Sequence, residues 1–67
     1  MKIKELKEKL RYLVIKYIED KTIISEIMKH IDDPKAKYVL GEIERYKVKE
    51  YSMTDKKIIK DIYFYYC

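Results

Sequence analysis

The residues able to do chemistry are few, and their surroundings do not favour it. His30 is the one histidine and Cys67 the one cysteine among 67 residues. A nucleophile needs an adjacent base and a third group to orient that base. Nothing beside His30 supplies either. It falls on a polar face next to Asp32–Asp33, where a solvated imidazole is the ordinary outcome. One histidine with one cysteine makes no zinc-ligand set. The acids are numerous, but pairs such as Lys4–Glu8 and Glu5–Lys9 have the spacing of exposed helical ion pairs. No two carboxylates share an apolar setting that would drive their pKa values apart. Gly41 stands alone, so no glycine-rich loop can cradle a phosphate. The expectation is a non-enzyme with no cofactor, no metal and no small-molecule substrate.

Aromatic and basic residues remain as candidates for binding. The chain has eight tyrosines and one phenylalanine. Tyr12, Tyr17, Tyr46 and Tyr63 fall on or beside apolar faces and are expected in the core. Tyr38 and Tyr51 lie off those faces, where Tyr can stack on bases or anchor a protein interface. The formal net charge is +4. Residues 1–11 hold five bases (Lys2, Lys4, Lys7, Lys9 and Arg11) against two acids. Elsewhere the signs are mixed, which is weaker than the basic stripe of a dedicated nucleic-acid binder.

The elements that must position these residues read as helices. Ile3, Leu6, Leu10, Leu13 and Tyr17 alternate steps of three and four over residues 2–19, which lines them along one seam. The stretch Tyr12–Ile18 is apolar on every side except Lys16. A helix apolar all round is normally enclosed, so this stretch is expected to be the hub of the fold. Thr22 can cap a second helix, whose apolar face is Ile23, Ile24, Ile27, Met28 and Ile31. A competing pattern also exists. Ile3, Leu10, Tyr17, Ile24 and Ile31 are seven apart, and Leu6, Leu13 and Ile27 fill the second heptad position with only Asp20 out of place. A sustained heptad favours one helix over 2–32 supercoiled against a partner. The broken version is preferred.

Asp32–Asp33–Pro34 punctuates the chain, because Asp33 can cap and Pro34 suits the first helical position. The third helix is expected from Pro34 to Tyr46 or Glu50, burying Ala36, Val39, Leu40, Ile43 and Tyr46. Gly41 in its middle costs about 1 kcal/mol against Ala, which points to close approach by a neighbouring helix. Lys47–Glu50 loses the helical period. Ser52 with Asp55 approximates a capping box for a last helix over about 55–66. Its wide apolar side is Ile58, Ile59, Ile62, Tyr63, Tyr65 and Tyr66, with Phe64 turned the other way beside Lys57 and Lys60.

The chain is therefore expected to form one domain over residues 1–67. The fold is all-α, a small three- or four-helix bundle, with a long N-terminal helix in a coiled-coil homodimer as the alternative. A core this small is marginal without regular packing or a partner. With one cysteine, no internal disulfide can help. No run of about 18 apolar residues spans a membrane and no signal peptide is visible, so the expected compartment is the cytoplasm.

The expected function is a small non-catalytic interaction module, a regulator, adaptor or inhibitor. It would dock an apolar, Tyr-rich helical surface on a protein partner or a second copy, through Ile3, Leu6, Leu10, Phe64, Tyr65 and Tyr66. The run Ile62–Tyr66 motivates this, because exposed apolar patches of that kind mark interaction sites. The alternative is helix-turn-helix-type DNA binding by helix 34–46, with Lys35, Lys37, Tyr38 and Arg45 on the nucleic acid. The basic N-terminal helix has too narrow an apolar seam to favour a membrane surface.

Overall fold

The structure is a computed structural model that describes residues 3–31 and 35–66, the last without its side chain. Steps of four, three and four place Leu6, Leu10, Leu13 and Tyr17 on one side of α1 (Ile3–Tyr17), and all four are buried. Val14 and Ile18 widen that buried side. The chain continues through α2 (Lys21–Met28), α3 (Ala36–Tyr46) and α4 (Met53–Tyr66). Among the described residues everything regular is helical. No helix there is long and apolar enough to cross a membrane.

α1 packs against each of the other helices, and α3 also packs against α4. Ile27 and Ile31 meet α1's seam from one side, Ala36, Val39, Leu40 and Ile43 from another, and Ile62 closes the core from α4. The radius of gyration is 10.8 Å, as expected of a compact chain of this length. One dimension is only 15 Å against 28 and 27 Å, so the bundle is a flat slab with a shallow core.

The N-terminal helix is broken, as the preferred reading has it, and a continuous helix over 2–32 is not formed. The cap differs from the expectation. Asp20, not Thr22, stands at the N-cap of α2, and its carboxylate accepts from the backbone N–H groups of Thr22 at 2.9 Å and Ile23 at 3.3 Å. The residue that breaks the heptad is thus the residue that starts the next helix. Asp33 and Pro34 lie outside the described residues. α3 begins at Ala36, with Lys35 extended at the cap position and no side-chain cap.

Further expectations are corrected. Tyr46, expected on the buried face of α3, is exposed. The stretch Tyr12–Ile18 is not enclosed. Leu13, Val14, Tyr17 and Ile18 are buried, but Ile15 is 64% exposed and Tyr12 is also at the surface. In a slab this thin α1 has one face against neighbours and one against water. Nor does a helix approach Gly41, since a Cβ built there meets nothing within 4 Å.

Candidate interaction surface and the polar cluster behind it

α4 is held to α1 by a buried carboxylate. Asp55 has no exposed surface, and its enclosure is made by polar partners. Tyr12 Oη donates to Oδ1 at 3.0 Å, and Tyr17 Oη donates to Oδ2. The Lys16 ammonium lies 2.8 Å from Oδ2 and also donates to Tyr12 Oη at 2.9 Å. The backbone N–H of Asp55 donates to Ser52 Oγ at 3.1 Å, the half of the capping box that the sequence foresaw. No buried side-chain nitrogen or oxygen among the described residues lacks a partner.

The spacing explains the convergence. Tyr12 and Lys16 are four apart and share a flank of α1, while Tyr17 lies one step round from Lys16. Asp55 sits in the first turn of α4, where a carboxylate also meets the positive end of the helix dipole. Burial alone would push the Asp55 carboxyl up, but the hydrogen bonds from Lys16, Tyr17, Ser52 and Tyr12 outweigh it and hold the group well below the usual carboxylate range. The hydrogen bond to Asp55, and then that to Tyr12, push the Lys16 ammonium up. Both groups are fixed in their charged forms. A general acid or base needs a pKa near the working pH, and the shifts of Asp55 and Lys16 both run away from neutrality. No cavity opens beside the cluster.

Tyr17 also organises the loop between α3 and α4. Its carbonyl accepts from the Val48 N–H at 2.9 Å, and its ring meets Tyr51 edge-on at 4.8 Å. Tyr51 is thereby half-buried against the chain's own core and not free to stack on a ligand. Its burial, with the charge of Glu44 second, pushes its phenol up.

The residues proposed for protein docking separate into two groups. Leu6 and Leu10 are spent in the chain's own core, which leaves Ile3 alone of that trio at the surface. At the other end of the chain, Phe64 is 79% exposed and packs edge-on against Tyr65 at 5.0 Å. Tyr65 is exposed too, and so is Tyr63, which the sequence placed in the core. The side chain of Tyr66 and all of Cys67 lie outside the described residues. Of the run Ile62–Tyr65, only Ile62 closes the core.

Sequence reasoning passed over Met53, which is 87% exposed. The signal for it was present. Met53, Lys57, Lys60 and Phe64 follow steps of four, three and four, and all are exposed. The outward line of α4 is therefore apolar at both ends and basic between them.

The residues considered for nucleic acid are exposed: Lys35, Lys37, Tyr38 and Arg45. The ring of Tyr38 lies edge-on to His30 at 4.9 Å. α2 ends at Met28 and α3 begins only at Ala36, a longer connection than the turn of about 3–4 residues in a helix-turn-helix. Among the described residues no group of His, Cys, Asp and Glu side chains is arranged to hold a metal ion. No family model matches the chain, and comparisons with characterised proteins and with solved structures give no match.

Proposed function

We propose that this protein is a small non-catalytic helical interaction module, acting in the cytoplasm, that docks on a protein partner or a second copy through the outward side of α4. The observation that carries this reading is the Phe64–Tyr65 pair. Two large rings lie largely in water beside exposed Tyr63 on a helix whose other side is rigidly anchored by Asp55 and Ile62. Leaving rings of this size in water forgoes burial worth roughly 2 kcal/mol each, and aromatic anchors of this kind dominate protein interfaces. Site-specific photo-crosslinking tests it. A photoreactive phenylalanine at position 64 is expected to give discrete protein adducts in cells, and the same group at exposed Lys29 is not. Equal yields at both positions would reduce Phe64 to an ordinary surface residue.

A second reading, DNA binding through α3, rests on Lys37, Tyr38 and Arg45 standing exposed on one helix around an unobstructed Gly41. Titration of a labelled mixed-sequence duplex at several salt concentrations decides it. Phosphate-driven binding weakens steeply with salt because counterion release supplies its free energy. Binding that is absent, or insensitive to Lys35→Ala with Lys37→Ala, removes this reading.

A further inference from the structure

The outward line of α4 restricts what its partner can be. Lys56, Lys57 and Lys60 are exposed between Met53 and Phe64. Met53 and Phe64 are about three turns apart, roughly 16 Å along the axis. The other charged groups of the helix do not offset the lysines there. Asp55 is buried and paired with Lys16, and Asp61 lies on the flank, half-covered. We propose, resting on the reading of α4 as a docking surface, that its occupant is an acidic amphipathic helix of another protein. Such a helix carries carboxylates over the lysines and apolar side chains over Met53 and Phe64.

Charge complementarity selects this occupant. A second copy docked α4 to α4 about a twofold axis places Lys57 and Lys60 against the same residues of its mate, and like charges across an interface suppress pairing. A membrane surface rewards a continuous apolar stripe, whereas here the two apolar ends are separated by lysines. A nucleic-acid strand satisfies the lysines but offers nothing apolar to Met53. The edge-on packing of Phe64 against Tyr65 also presents no parallel platform for successive bases. A helix laid along α4 matches both the length of the line and its alternation of chemistry.

The test uses the full chain, isotopically labelled, with synthetic helical peptides as probes. One peptide carries Glu at the positions facing the lysines and Leu at both ends. A second carries Gln in place of Glu. Phosphatidylserine vesicles and a mixed-sequence oligonucleotide complete the set. The acidic peptide is expected to shift the amide signals of Met53, Lys56, Lys57, Lys60 and Phe64, and to bind roughly tenfold more tightly than the Gln peptide. Its affinity should fall several-fold between about 0.05 and 0.5 M salt, and Lys57→Glu with Lys60→Glu should reverse the preference between the two peptides. Because these lysines are exposed, the double variant is expected to keep the native spectrum elsewhere. Equal binding of the two peptides overturns the acidic partner while leaving α4 as a docking surface. If no peptide binds α4, or if only vesicles or the oligonucleotide do, the acidic-helix proposal is lost. Binding of vesicles or oligonucleotide alone would also remove the protein-docking reading on which it rests.

Discussion

The Tyr17 hydroxyl stands between Asp55 and Ser52, donating to Oδ2 of the carboxylate and accepting from the Ser52 backbone N–H at 3.0 Å. In a self-contained capping box the acid three residues into the helix would itself reach the cap N–H. Here a hydroxyl from another helix is spliced into that bond. The start of α4 is therefore completed by α1. Local capping and tertiary docking become one event, and the loop that carries Val48 and Tyr51 is secured at the same residue.

Tyr17→Phe isolates this junction. The ring stays, so packing is kept, but the Ser52 N–H loses its acceptor and Asp55 loses a donor. Leaving buried polar groups unpaired costs about 1–3 kcal/mol. Urea unfolding is expected to show a loss in that range. Tyr12→Phe should cost less, since Tyr12 is partly exposed and water can replace its hydroxyl. Equal losses from the two variants would mean that the Ser52 bond adds nothing.

The same cluster sets the response to acid. The folded-state pKa of Asp55 is depressed, while the unfolded value is about 3.9. The unfolded chain therefore takes up this proton first as pH falls. The stability contributed by the ionised carboxylate is complete above about pH 5 and is progressively lost below it. Asp55→Asn removes that contribution and is expected to destabilise the fold at neutral pH by about 2–4 kcal/mol. Measured against pH in urea, the gap between wild type and the variant should narrow as the solution is taken from about pH 5 to pH 2. A gap that stays constant would show that Asp55 acts by shape alone.

The helices themselves are written in the steps of three and four, but the break before α2 is only the preferred of two readings, because the heptad with Asp20 alone out of place also fits one continuous helix. The cluster around Asp55 was not legible. Its residues come from positions more than thirty apart in the chain, and from either segment alone Asp55 reads only as a capping acid. The outward turn of Ile15 was equally hidden. An all-apolar run shows that one side is buried but not how many faces are covered, and in a slab only 15 Å thick even α1, which touches every other helix, keeps one face in water. The chain thus betrays its elements, while the direction in which each leftover apolar residue points is decided only by packing.

The cap of α2 offers a clean comparison. Asp20 accepts from two backbone N–H groups that the helix leaves without an internal partner. Asp20→Ala is expected to cost about 1 kcal/mol and to raise amide hydrogen exchange in the first turn of α2. Thr22→Ala lies inside the helix and replaces a β-branched residue by the best helix former, so it should be neutral or slightly stabilising. The opposite ranking would restore Thr22 as the cap.

Gly41 forgoes helix stability without an internal reason. It is exposed in the middle of α3, its φ is negative, and nothing lies within 4 Å of an added Cβ. Ala there meets no clash and narrows the unfolded ensemble. Gly41→Ala is therefore expected to stabilise the protein by about 0.5–1 kcal/mol, which for a domain of this size raises Tm by roughly 3–6 °C. Tyr38 and Arg45, exposed on the same helix, give this variant a second use. Ala fills the gap beside them without altering charge, so any ligand whose backbone must come close to α3 should bind the stabilised variant more weakly. A duplex titration that is unchanged by Gly41→Ala, alongside the higher Tm, would leave the glycine as a plain thermodynamic cost and count against α3 as a binding helix.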